Sequence, residues 1–188
     1  MIADKLFIKK CIKGDEKKLR ELYQHLYDRL MGICMRYKRD KTEAVSALNQ
    51  AFMKVISNLK SYDTDKDILA WSSRIAVNML IDEYRKDKHR SQFVSIHDQE
   101  DGPAIQVSSE SWIEEGLQAE HIRDCMKTLP KVTQTVFNLY AIDGFKHREI
   151  AEKLDISEGT SKWHVSHARV LLKQMLQKED ERKSKTYG

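Results

Sequence analysis

The chain has 188 residues and a formal net charge of +4, from 33 Lys and Arg against 29 Asp and Glu. This length provides for one medium domain or two small ones. No apolar run approaches the roughly 20 residues that cross a bilayer, and nothing near the N-terminus has the pattern of a signal peptide, so we expect a cytoplasmic protein with no membrane insertion. Cys11, Cys34 and Cys125 are too scattered for a disulfide framework or a CxxC zinc site, and we interpret them as small core residues.

Charge is divided unevenly along the chain. Residues 1–90 contain 20 Lys and Arg against 13 Asp and Glu, and residues 121–188 contain 13 against 9. Residues 91–120 contain seven acids and no Lys or Arg. Two basic blocks joined by an acidic segment indicate two nucleic-acid-facing modules and a linker that faces something basic, unless the segment is only a solvated acidic loop.

The first basic block has helical periodicity. Apolar residues at i, i+3, i+4 and i+7 run from Leu19 to Tyr37, from Val45 to Leu59 and from Ile68 to Leu80, with a shorter stripe from Phe7 to Ile12. The polar stretch SYDTDKD at 61–67 reads as a connector. This pattern predicts a bundle of about four helices, and since no sustained period-two alternation occurs, the predicted class is all-α.

The helical period lapses between residues 91 and 118, where an Asp-Gly-Pro sequence occurs at 101–103. We therefore predict an N-terminal helical bundle at 1–92, an acidic flexible linker at 93–118 and a second small helical domain at 119–188.

The second basic block has the pattern of a helix-turn-helix. A small residue, Ala151, stands where two helices would cross, Ile156 would plug the turn, and Val165 would face the core from the last helix. Ser157 is a plausible cap for that helix. Its exposed face is predicted to carry Lys162, His164, His167 and Arg169, which suits a helix that reads base edges with its first turns and phosphates with flanking cations.

Two stretches resemble conserved regions of bacterial RNA polymerase sigma factors. LPKVTQTVFNLYAIDGFKHREIAEKLDISEGTSKWHVSHARVLL, residues 129–172, resembles their fourth region, and NQAFMKVISNLKSYDTDKDILAWSSRIAVNMLIDEYRKDKHR, residues 49–90, resembles their second. Two such regions with a short spacer are the layout of the extracytoplasmic-function (ECF) group. The resemblance implies a protein that binds core RNA polymerase, recognises minus-thirty-five and minus-ten promoter elements, promotes melting and is held inactive by an anti-sigma factor.

The resemblance implies a minus-ten surface in the first block. Opening a promoter requires aromatic or flat polar surfaces beside a basic groove, because unstacked bases must be captured. Trp71, Arg74 and Asn78 fall at i, i+3 and i+7 of one helix, and an amide within the apolar run IAVNMLI needs a hydrogen-bonding reason. The expected minus-ten contacts are Tyr62, Asp63, Trp71, Arg74, Asn78, Arg85, Lys86, Lys88 and Arg90.

Two further contact sets follow from the same resemblance. The expected minus-thirty-five contacts are Arg148, Ser157, Glu158, Thr160, Ser161, Lys162, His164, His167 and Arg169. The helix that matches the clamp-docking part of the family is expected to contact polymerase through Asn49, Gln50, Phe52 and Lys54. Family members often carry acids at the positions that match Ser46 and Gln50, and this chain has no charge at either.

Two other classes of protein remain as alternatives. A stand-alone helix-turn-helix regulator, with an N-terminal bundle that dimerises or senses a ligand, would bind duplex DNA without polymerase. A metal sensor or enzyme would use His121 with Cys125, or His164 with His167, but two ligands do not make a zinc site. The sequence contains no Gly-rich phosphate loop and no convincing acid/base or nucleophile constellation, so we expect no enzymatic activity, no cofactor and no small-molecule substrate.

Overall fold

The backbone described by the computed structural model, residues 4–92 and 124–186, consists of helices and short turns without a strand. Side chains are described for residues 4–87 and 124–177. Two compact units divide the chain between residues 95 and 96. The all-α class is confirmed, whereas the predicted linker at 93–118 lies outside the described residues. In the described ranges, no helix combines the length and the apolar character that crossing a membrane requires.

Four helices form the described part of the first unit, as the periodicity predicts. They are α1 (Lys5–Ile12), α2 (Glu16–Tyr37), α3 (Lys41–Asn58) and α4 (Ile68–Gln92), with a 3₁₀ turn at Leu59–Ser61 after α3. Each begins at an aspartate whose carboxylate accepts a hydrogen bond from a first-turn N–H; the four caps are Asp4, Asp15, Asp40 and Asp67. Such caps satisfy donors that no helical carbonyl reaches, so the sequence itself marks where each helix begins.

Helix α2 is central to the core of the first unit, because it packs on α1, α3 and α4. Leu22, Leu26 and Leu30 are fully buried along one face of this helix. Polar contacts also join α2 to α4: the ammonium of Lys38 lies 2.7 Å from a carboxylate oxygen of Glu83. These contacts fix α4, which carries most of the expected minus-ten residues.

Three further helices are described in the second unit, after a helical stretch at 124–127. Helix α5 (Lys131–Phe137) continues into a π-helical turn at Asn138–Ile142, and α6 (His147–Leu154) and α7 (Glu158–Thr186) follow. Both α5 and α6 pack on α7.

The turn between α6 and α7 has most of the features of the predicted helix-turn-helix. Asp155 adopts the left-handed conformation, with φ of 55°, and ends α6; aspartate tolerates this region better than most residues. Ala151 and Val165 are buried, as predicted. The expected plug of the turn is corrected: Ile156 is only half-buried, and Leu154, which is 1% exposed, fills the interior there instead.

All three cysteines are free and buried, which confirms their interpretation as core residues. Burial raises the pKa of the Cys34 thiol to about 11, so it remains protonated at neutral pH. A protonated, buried thiol is a poor nucleophile and a poor metal ligand.

Candidate nucleic-acid interfaces

A shallow groove lies between α3 and α4 on the first unit. Its lining residues are Lys54, Asn58, Ser61, Trp71, Ile75, Asn78, Met79 and Asp82. The groove therefore brings Trp71 and Asn78 of the expected minus-ten set next to Lys54 of the expected polymerase set. The ammonium of Lys54 lies 3.8 Å from the carboxylate of Asp82, with the two side chains 50% and 56% exposed. An exposed pair at this distance is weak, so Lys54 can exchange Asp82 for another anion.

The indole of Trp71 is half-buried because it packs on Tyr62, with ring centroids 4.8 Å apart. Tyr62 itself is 8% exposed, and its hydroxyl donates to the backbone carbonyl of Lys66. This corrects the expectation that Tyr62 contacts DNA: the ring supports the 61–67 loop from beneath. Asp63 is exposed in that loop, where its carboxylate accepts from the N–H of Asp65 at 3.1 Å.

The exposed face of α4 carries the remaining described minus-ten candidates. Arg74, Asn78, Arg85 and Lys86 are all exposed. Asn78 lines the groove, so its amide is not buried with the apolar residues that surround it in the sequence. Arg74 does not line the groove. The side chains of Lys88 and Arg90 lie outside the described residues.

The expected polymerase contacts lie along α3, where Asn49 and Gln50 are exposed and Phe52 is half-buried. Phe52 meets the ring of Tyr23 edge-on, with centroids 4.8 Å apart, and the Tyr23 hydroxyl donates to the Asn49 side-chain oxygen at 3.1 Å. The sequence reasoning missed Met53, which is 63% exposed beside these residues. The sequence could have revealed it, because Met53 is an apolar residue that does not fit the helical period of the buried side chains of α3.

Two imidazoles hold the recognition helix α7 against its neighbours. The Nδ1 atom of His147 lies 3.0 Å from the hydroxyl of Ser161, and the hydroxyl of Thr133 lies 3.0 Å from Nδ1 of His164. Ser161 is fully buried and His164 is half-buried. These contacts correct two expectations. Ser161, expected as a minus-thirty-five contact, is fully buried against α6, and His164, expected on the exposed face, is half-buried against α5.

Both imidazoles are held neutral. Burial lowers the pKa of His164 to about 4, with a smaller contribution from the nearby His167. Burial also lowers the pKa of His147, and the cations Lys162 and Arg169 act in the same direction. The carboxylate of Glu158 acts in the opposite direction, so charges of both signs lie near the start of α6.

The outward part of the helix-turn-helix contains the other candidates. Ser157 caps α7 by accepting from the N–H of Thr160 at 2.9 Å. Lys162, Arg148 and Glu158 are exposed, while Thr160, His167 and Arg169 are half-buried. The guanidinium of Arg148 pairs with Glu152 at 3.3 Å in an exposed position.

The sequence reasoning missed Trp163, whose indole stacks on the His167 ring with centroids 4.7 Å apart and planes inclined by 13°. The sequence could have revealed this stacking, because the two rings are spaced i, i+4 and therefore lie on the same face of one helix. Within the described parts of the chain, no group of three His, Cys, Asp or Glu side chains converges as a metal site would require.

Comparison with known proteins identifies the class. Residues 22–90 match the family model described as sigma-70 region 2, and residues 119–172 match the model described as sigma-70, region 4. The chain belongs to the sigma-70 family of RNA polymerase sigma factors.

Its relatives place it in the ECF group of that family. It is 27% identical over 176 residues to the ECF RNA polymerase sigma factor SigW of Bacillus subtilis (strain 168), covering 90% of this chain and 94% of that protein. It is 28% identical over 153 residues to the ECF sigma factor SigM of the same organism, covering 81% and 91%. The sigma factor RpoE in its co-crystal structure with the anti-sigma factor NepR from Bartonella quintana shares the fold, with a TM-score of 0.50 and 19% identity over 86% of this chain and 98% of that chain. The chain is thus an ECF sigma factor, which confirms the resemblance read from its sequence.

Proposed function

We propose that this chain joins core RNA polymerase, holds the minus-thirty-five element in its helix-turn-helix and captures the unpaired minus-ten strand in the α3–α4 groove. The observation that carries the proposal is that one open groove is lined by the Trp71 indole, the exposed Asn78 amide and the Lys54 ammonium. Unpaired bases stack on aromatic rings and hydrogen-bond to amides, while their phosphates are held by cations. Arg74, Arg85 and Lys86 on the same helix would guide the strand.

The helix-turn-helix suits duplex DNA for a different reason. Exposed Lys162 and Arg148 flank the outward face of α7 from two helices, and Arg169 adds charge nearby. In this arrangement, cations on either side would contact phosphates while the first turns of α7, with Glu158 and Thr160, meet base edges.

We assign polymerase docking to the exposed surface of α3. Asn49, Gln50 and the partly exposed Phe52 supply polar and aromatic contacts, and Met53 adds an apolar side chain that is 63% exposed. The exposed Lys54 lies where this surface meets the α3–α4 groove. Interfaces are enriched in aromatic residues and methionine, so Met53 is the best single candidate for an anchor.

The remaining assignments follow from membership of the family. RNA synthesis is carried out by polymerase, so the chain needs no catalytic group of its own, and it acts in the cytoplasm, where polymerase and DNA are found. The Bartonella relative is bound by an anti-sigma factor, and we propose a partner of this kind here. Residues 93–118 would link the two promoter-binding units.

The test is co-purification of the full chain with core RNA polymerase, followed by transcription from a promoter library. The proposal requires polymerase binding and promoter-dependent transcripts. Met53→Asp should weaken co-purification, whereas Thr42→Asp, which introduces the same charge at an exposed position of the same helix, should not. A chain that binds duplex DNA alone and never associates with polymerase would instead be a stand-alone regulator.

A further inference from the structure

An aromatic pair occupies the outward face of the recognition helix. Trp163 and His167 lie one turn apart and stack nearly parallel, with centroids 4.7 Å apart, and His164 meets the same indole edge-on at 4.8 Å. An α-helix turns by about 100° per residue, so Trp163 and His167 lie roughly opposite the buried Val165 and Leu172. Both side chains are half-buried, so the pair presents the uncovered part of the indole on the side of α7 away from its buried residues.

We infer that the Trp163–His167 pair recognises the 5-methyl group of a thymine in the major groove of the minus-thirty-five element. This inference rests on the proposed function, because it requires α7 to enter that groove. The 5-methyl group of thymine is the apolar feature that a base pair presents in the major groove. The uncovered part of the Trp163 indole, on the groove-facing side of α7, is an apolar surface complementary to it.

The surroundings of the pair favour duplex DNA over an apolar protein partner. Lys162 is exposed next to Trp163 in the sequence, and Arg148 is exposed on the neighbouring helix. Lys162 and Arg169 both lie within electrostatic reach of His147 on the neighbouring helix, as does the acid Glu158. Cations that contact phosphates beside an apolar centre that contacts base edges are the arrangement of a DNA-reading helix.

Stacking gives the pair its selectivity. His167 lies flat against the indole and restricts its orientation, so the ring meets the groove with a defined plane. An indole offers a single N–H donor and no acceptor, and therefore cannot form the bidentate contact by which arginine or lysine selects guanine. The pair should consequently favour thymine at the base it covers.

The test uses holoenzyme, assembled from the full chain and core polymerase, and promoter duplexes with a randomised minus-thirty-five element. The enriched sequence is resynthesised with each thymine replaced in turn by deoxyuridine, which removes only the methyl group. Burial of one methyl group corresponds to about fourfold in affinity, so the wild type should lose about fourfold at one thymine. Trp163→Ala should bind the thymine and deoxyuridine duplexes equally, while Gln174→Ala, at an exposed position further along α7, should retain the fourfold difference.

Trp163→Phe is a control for misfolding of Trp163→Ala. It keeps a flat apolar ring, so it should preserve most of the difference in affinity between the thymine and deoxyuridine duplexes. The inference is overturned if no thymine shows a methyl effect with the wild type, or if the effect survives in Trp163→Ala. Holoenzyme that enriches no minus-thirty-five sequence would remove the proposed function and this inference with it. An enriched sequence that lacks the Trp163 dependence would remove only the inference.

Discussion

Acidification should weaken the helix-turn-helix unit through His164. The pKa of this imidazole is about 4 in the folded chain, below its ordinary value of 6.5, because the ring is buried and lies near His167. A histidine whose folded pKa is lowered contributes stability that is complete above pH 6.5 and is lost as the pH falls from 6.5 towards 4. The reason is that the unfolded chain binds the proton more readily than the folded one.

The size of the effect follows from the two pKa values. Between pH 7 and pH 5 the full shift corresponds to a loss of about 2 kcal/mol in the free energy of unfolding. The ring is only half-buried, and solvent reduces the expected loss to about 1 kcal/mol.

The assay is urea unfolding at pH 7 and pH 5, followed by peptide-resolved hydrogen exchange in α5 and α7. His164→Asn places an amide where Nδ1 contacts Thr133 and cannot titrate, so this variant should lack about 1 kcal/mol of the pH dependence. His25→Asn, a change at an exposed histidine of α2, should keep the wild-type dependence. Equal pH dependence in wild type and His164→Asn would refute the buried, neutral state of His164.

Three other substitutions test separate surfaces. Asn78→Ala should weaken open-complex formation on duplex promoters more than on templates already melted at the minus-ten element, measured by permanganate footprinting; normal melting of duplex promoters would return Asn78 to a structural role. Lys162→Ala should cost about 1–3 kcal/mol at one base pair of the minus-thirty-five element, whereas Arg169→Ala should reduce the salt dependence of binding; equal loss on every sequence would reassign Lys162 to a phosphate. Ser161→Ala should destabilise the unit by about 1 kcal/mol in urea, because it removes the hydroxyl partner of the half-buried His147 ring, and Ser166→Ala at a half-buried position of the same helix should cost less; equal costs would show that the Ser161–His147 contact does not position α7.

Periodicity was enough to predict the four N-terminal helices, but not which face each polar side chain takes. The four N-terminal helices and the small residue at Ala151 follow from local patterns, which the chain carries within one or two turns. His164 was expected to be exposed because it is polar and lies among basic residues. Its partner Thr133 is 31 residues away on another helix, and such a pairing is visible only once the helices have packed.

Tyr62 illustrates the same limit within a loop. The stretch SYDTDKD is polar enough to predict a solvated connector, and that prediction holds for Asp63. The Tyr62 ring is nevertheless buried, because Trp71 from the following helix covers it. A single aromatic residue in a polar loop cannot be assigned to the inside or outside without knowing which side chain packs on it.

The two imidazole contacts explain how a small domain can hold a DNA-reading helix at a defined rotation. Val165 and Ala168 face the core, but apolar contact is non-directional and does not by itself select one rotation of α7 as sharply as a hydrogen bond does. The hydroxyl of Ser161 is engaged by α6 and the ring of His164 by α5, each at 3.0 Å. A rotation of about 20° would move a side-chain tip about 6 Å from the helix axis by about 2 Å, enough to break such hydrogen bonds. Since the bonds run to two different helices, α7 cannot turn far without losing at least one of them, and leaving a buried partner unpaired costs about 1–3 kcal/mol. These two hydrogen bonds therefore also fix the orientation of the outward face of α7, where Trp163 lies, although neither bond contacts DNA. Substitutions at Thr133 or His147 should consequently alter promoter selectivity as well as stability.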